Sequence, residues 1–183
     1  MAPTLFDAVQ LQAERVRSFL EPVWGWVRTD DDGQPLSTGF CISSAVLLRH
    51  VLNATVPGPW RLAGGHPFYG QGGFLDPAGE WADHHWVVHE SSGVIVDVTA
   101  DQFGDAAVVV TNKGDSRYCE NLPDAVERDR NALMCCEWPK NWVPLWDASG
   151  GRPLSRDAIE RWMVSGISPT EGAVEPVGPV AGH

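Results

Sequence analysis

The sequence predicts a single α+β domain, and three stretches carry that prediction. Residues 39–52, GFCISSAVLLRHVL, place apolar Val46, Leu47, Val51 and Leu52 at helical spacing behind Gly39. Residues 84–98 hold two strand-like runs, ending at His89 and starting again at Val94, around the turn signal Ser91-Ser92-Gly93. Residues 4–20 repeat a helical stripe of Leu5, Val9, Ala13, Val16 and Leu20. A helix therefore precedes an antiparallel hairpin, and a second helix needs a surface to cover.

At 183 residues the chain can bury one good core. A composition 43% hydrophobic and 20% charged is that of a globular protein, and nine tryptophans suggest an aromatic-rich core or cleft wall. The net charge of −11 argues against nucleic acid or an anionic membrane as partner and is compatible with a cationic or neutral substrate. No apolar run approaches the roughly 20 residues of a membrane span. MAPTLFDAVQ has no basic segment followed by an apolar one, so no secretory signal is read. Four cysteines then point to reduced thiols in a cytoplasmic setting.

The first helix is expected to be capped by Thr4, with Asp7 in its first turn, and to be stopped by Pro22. The polar loop 28–38 contains three consecutive aspartates. A calcium loop wants alternating acids and a distal glutamate, so this run reads as a solvated turn. Cys41 follows at the opening of the next helix. A helix N-terminus offers partial positive charge and free N–H groups, which favour a thiolate and could hold a developing oxyanion. Taken alone, such a cysteine is more often a small buried core residue. Ser43 and Ser44 are expected to satisfy local backbone groups, and His50 to sit structurally in the last turn.

Trp60–Ala63 is read as a strand. The glycine-rich segment 64–73 fits no phosphate-loop pattern. It is read as a loop at the rim of a cleft, with His66, Phe68 and Tyr69 as candidate substrate-facing rings. In the hairpin, His84 and His85 are expected on opposite strand faces, so that only one meets Cys41, and the residues alone leave the choice open. Asp97, flanked by Val96 and Val98, must be paired or reach solvent. A nucleophilic cysteine needs a base, and that base an orienting partner; a hairpin can set a histidine beside an aspartate. No CxxC or HExxH occurs, and His85 and His89 would stand about 13 Å apart along a strand, so no metal is expected.

Residues 106–111 are read as a further strand, Lys113-Gly114-Asp115 as a turn, 121–134 as a helix, and 138–146 as a wrap over the core. A last helix is expected over 155–164, capped by Ser155 and burying Ile159, Trp162 and Met163. Cys119, Cys135 and Cys136 are taken as packing residues. Residues 168–183 read as a flexible tail, leaving 1–167 as the domain.

Cys41 at a helix start, then His84-His85-Trp86 opening a strand, then Asp97-Val98-Thr99 followed by Ala100-Asp101-Gln102-Phe103 resembles the papain-like cysteine hydrolases, in particular their transglutaminase-like branch. The resemblance covers roughly residues 37–111. It implies a cysteine-bearing helix packed on an antiparallel sheet and a catalytic Cys41, His84 and Asp97, the His-x-Trp pattern choosing His84. It further implies acyl transfer through a thioester to water or an amine, on a peptide, protein or small amide, with no cofactor. Papain-like enzymes place an oxyanion-stabilising glutamine upstream of the cysteine; Gln34, seven residues before Cys41, is the weak candidate, and Gln102 is another residue that could support the site. The alternatives are a non-catalytic binding module on the same fold and a zinc protein.

Overall fold

The computed structural model describes residues 4–28, 33–122 and 142–165. Helix α1 spans Leu5–Val27 and opens on a capping box: Asp7 N–H donates to Thr4 Oγ1 at 3.2 Å, and Thr4 N–H donates to Asp7 Oδ2 at 2.9 Å. Pro22 does not stop it. An interior proline costs about 3 kcal/mol, but the extra turn fully buries Val23 and Trp24. Burying two such side chains contributes about 1.5–3 kcal/mol each, enough to carry the helix past the proline.

Helix α2 spans Cys41–Thr55 and lies across a four-stranded antiparallel sheet. The sheet runs in the order β1 (Trp60–Gly65), β4 (His84–His89), β5 (Val94–Asp97), β6 (Val109–Asn112). A smaller sheet orders β3 (Trp81–Ala82), β2 (Gly73–Leu75) and β7 (Tyr118–Cys119). The mixed α+β class with antiparallel sheets is thus as expected. The hairpin is in register at Val87↔Val96 and Val88↔Ile95. Its second strand ends at Asp97 and not Val98, and β6 begins at Val109 and not residue 106.

The main core lies between the helices and one sheet face. Val87 and Val96 meet Leu47, Leu52, Phe19 and Leu20 there. The other face carries Trp86, Val88 and Ile95, with Tyr118 packed against them. The glycine-rich segment is divided among three elements: Gly64 and Gly65 close β1, Pro67–Tyr69 form a 3-10 turn, and Gly73 opens β2. Gly65 is where the sheets meet. A Cβ there would lie 2.1 Å from Gly73 N and 2.3 Å from Cys119 O, so only glycine fits.

Part of the tryptophan-rich segment 138–146 forms a short helix, α3 (Val143–Ser149), that the sequence did not suggest. Its Leu145 and the preceding Trp142 are buried. The last helix, α4 (Arg156–Ser165), is capped as expected, Ala158 N–H donating to Ser155 Oγ at 3.3 Å. It buries Ile159 and Met163, while Trp162 is only half-buried. The expected aspartate-run turn, most of the helix over 121–134, Cys135, Cys136 and the tail 168–183 lie outside the described residues. Among the described residues no helix is long and apolar enough to cross a membrane.

Candidate functional site

Cys41 is the first residue of α2, and it is partly exposed. No side chain caps this helix end, so the N–H groups of its first turn are left to the sulfur and to whatever approaches it. The turn before it is held from three sides. Phe40 stacks on Trp24 at 6.2 Å and meets Trp142 edge-on at 5.6 Å. Ser37 Oγ donates to Asp101 Oδ1 at 2.6 Å. Gly39 sits at φ +81°, a left-handed conformation that favours glycine.

His84 opens β4 and is fully buried. Its Nε2–H donates to Asp97 Oδ2 at 2.6 Å. The hairpin register sets Trp86 across from Asp97, so His84, two residues away on the same face, is its diagonal neighbour. Three aromatic rings enclose the imidazole, with centroids at 5.7 Å (Phe74), 4.9 Å (Phe103) and 5.9 Å (Trp86).

Asp97 is a buried carboxylate with every approach filled. Oδ1 accepts from Thr99 N–H at 2.8 Å and Thr99 Oγ1 at 3.1 Å, and Oδ2 accepts from Tyr118 Oη at 3.0 Å as well as from His84. Burial pushes its proton affinity up, but the charge and hydrogen bond of His84, with the Thr99 and Tyr118 donors, outweigh it and hold Asp97 below the usual carboxylate range.

The same balance acts on the other two groups. Burial would lower the basicity of His84, yet Asp97 and then Cys41 raise it from 6.5 to about 10. Burial would raise the Cys41 thiol, yet hydrogen bonding and charge from His84 and His85 bring it from 9.0 down to about 6. Between those values the pair is a thiolate beside an imidazolium.

His84 lies on the Asp97 face of β4 and His85 on the opposite one, as strand alternation predicts. His85 is buried on the α2 side, its ring over Gly64, where a Cβ would lie 2.7 Å from His85 Cδ2. His85 Nδ1 has no hydrogen-bond partner.

The other candidates are engaged elsewhere or exposed. Gln34 is exposed in the loop before it. His66 pins the 3-10 turn, accepting from Phe68 N–H at 2.9 Å, and it lifts exposed Phe68 and Tyr69 beyond β1 at the strand end paired with His84. His89 accepts from Ser92 N–H at 3.0 Å. His50 faces Asp147 at 3.0 Å. Ser44 Oγ donates to Phe40 O at 2.7 Å, a local bond as expected. Among the described residues no three His, Cys, Asp or Glu side chains are grouped to hold a metal ion.

Three contributors were not read from the sequence as parts of the site. Arg17 of α1 donates twice to Asp101, at 2.8 and 2.7 Å, and to Val98 O at 2.8 Å, tying the helix to the segment after Asp97. Its signal was present: an arginine on the buried face, beside Ala13, Val16 and Leu20. Tyr118 comes from a two-residue strand with no pattern to flag it. Phe74 likewise stands in a three-residue strand. A cavity of about 710 Å³ opens along the sheet face behind the site, lined by Trp86, Val88, Ile95, Tyr118 and Lys113 among others.

Comparison of the chain with protein-family models, with curated proteins and with solved structures finds no match.

Proposed function

We propose that the chain is a cysteine-dependent acyl hydrolase or acyltransferase of the papain-like, transglutaminase-like kind, in which Cys41 is the nucleophile, His84 its acid and base, and Asp97 the orienting carboxylate. The observation that carries this reading is the buried His84–Asp97 pair at 2.6 Å beside a cysteine that opens an uncapped helix. A structural histidine–aspartate pair does not need a thiol at a helix N-terminus next to it.

The chemistry follows from the arrangement. His84 Nε2 is committed to Asp97, so Nδ1 is the nitrogen left for the thiol. The Cys41 thiolate adds to an amide or ester carbonyl, and the backbone N–H at the helix start holds the oxyanion. The tetrahedral adduct collapses, the Nδ1 proton goes to the leaving nitrogen or oxygen, and an acyl-thioester remains. Water or an amine then attacks, His84 takes its proton, and the acyl product leaves the sulfur. Nothing in the sequence of bonds calls for a cofactor. The substrates in this reading are peptides, proteins or small amides met in the cytoplasm, with a cationic group near the scissile bond favoured by the chain's net charge of −11.

Exposure to p-nitrophenyl acetate tests this directly. The expected result is a stoichiometric acetyl adduct on Cys41 by peptide mass, lost to water and faster to added methylamine, and absent in Cys41→Ala. Acetylation spread equally over the cysteines, or none on Cys41 with the fold intact, overturns the proposal. The pH dependence of acylation has its sign fixed by the two shifts. Activity needs Cys41 deprotonated, so it rises through about pH 6, and His84 protonated, so it falls through about pH 10.

A further inference from the structure

The nitrogen of His84 that meets the thiol has a second neighbour. Gln102 Nε2 lies 3.3 Å from His84 Nδ1. The orientation of that amide is set independently: Nε2 donates to Thr99 O at 2.9 Å, and Oε1 accepts from Gly39 N–H at 3.5 Å. Turning the amide over would face its oxygen with the Thr99 carbonyl and its NH2 with the Gly39 N–H, losing both bonds. The donor side therefore points at Nδ1. A donor there is satisfied by a lone pair on Nδ1 and is opposed by an Nδ1–H. Gln102 also connects the glycine turn two residues before Cys41 to the imidazole.

Resting on the proposed Cys41–His84–Asp97 chemistry, we infer that Gln102 is a positioning residue: its amide donor faces Nδ1 of His84, disfavours the protonated nitrogen and so loosens the proton that His84 must give to the leaving group. Asp97 pulls a proton onto the ring from one side. Gln102 opposes its retention from the other. A ring gripped by Asp97 alone would hold the imidazolium well but surrender its proton to a leaving group poorly. The titratable groups around His84 are Cys41 at the start of α2, Asp97 on β5 with Tyr118 of β7 behind it, and His85, which flanks the same thiol. The remaining neighbours are the rings of Phe74, Phe103 and Trp86. Asp101, adjacent to Gln102, is paired with Arg17.

Gln102→Met keeps the length of the side chain and removes the donor, so it should stabilise the Cys41–His84 ion pair. In the full chain, the pH midpoint for iodoacetamide alkylation of Cys41 should fall by about half a unit, a long hydrogen bond being worth somewhat under 1 kcal/mol. The upper limb of the acylation profile should rise by a similar amount, while the rate at its plateau drops. Gln102→Glu, which adds a carboxylate beside the ring, should raise the upper limb further. A merely structural role predicts a narrower window or lower stability with an unchanged window, and either result overturns the inference. If the unsubstituted protein itself shows no depressed Cys41 midpoint, the catalytic proposal fails first, and the two failures are told apart.

Discussion

Asp97 is the residue on which the site's electrostatics turn. Its carboxylate accepts four hydrogen bonds while buried, so its charge is stable there and the charge on His84 is stabilised in turn. Asp97→Asn keeps the shape and removes the charge. The alkylation midpoint of Cys41 should then climb from about 6 toward the ordinary thiol value of 9.0. The midpoint is the informative quantity, because a less acidic thiol gives a more nucleophilic thiolate and the two effects partly cancel in the rate at pH 7. The substitution also alters acid stability. Asp97 has its folded proton affinity lowered, so the native state binds fewer protons than the unfolded one, and the stability it contributes is present above pH 3.8 and lost as pH falls below it. Urea titrations between pH 3 and 7 should show a shallower loss of stability toward low pH in Asp97→Asn than in the unsubstituted protein. Cys41 and Asp97 were conspicuous by position, a thiol at a helix start and a carboxylate inside an apolar strand, whereas His84 was preferred over His85 only through the family resemblance. Tyr118 was not legible, because a lone tyrosine in a short strand has no periodicity to set it apart.

Among elements, the 3-10 turn over Ala100–Phe103 joins the two halves of the site. Asp101 takes Arg17 from α1 and Ser37 from the cysteine loop, Gln102 takes Gly39 and His84, and Phe103 stacks on Phe74 at 4.9 Å against the imidazole. The motif that suggested a family resemblance thus has a physical account residue by residue. Arg17 lies mostly buried, with its guanidinium 4.7 Å from the Trp24 ring, so its loss leaves Asp101 and the Val98 carbonyl short of donors. Arg17→Met should cost about 2–3 kcal/mol, below the figure for a fully buried pair because Asp101 keeps some water contact. Chemical denaturation with an unchanged m value checks this. The helix boundary at Pro22 was misread for an instructive reason. Local propensity opposes a proline in mid-helix, and it was the burial of Val23 and Trp24, a tertiary effect, that prevailed.

For the whole molecule, the joint between the two sheets decides whether Phe74 and Tyr118 reach the histidine–aspartate pair at all. That joint passes through Gly65, where backbone from β2 and β7 fills the space of a side chain. Gly65→Ala should destabilise the fold by about 3 kcal/mol, the upper part of the range for overpacking, because the obstructing atoms are backbone and cannot rotate away. A thermal midpoint within a degree or two of the unsubstituted protein would show that the sheets can part at little cost. The α+β class and the helix-then-hairpin order were readable from apolar spacing alone. The second sheet was not, since strands of two or three residues carry almost no alternation and are formed by what they pack against.

A thiolate–imidazolium pair is tested by the rate of iodoacetamide labelling at Cys41 against pH, read by peptide mass, in the unsubstituted protein and in His84→Ala and His85→Ala. The expected midpoint is near 6 in the unsubstituted protein, rising toward 9.0 on loss of His84 and by less on loss of His85. A midpoint already near 9.0, or one that His84→Ala leaves in place, would contradict a thiolate–imidazolium pair at this site.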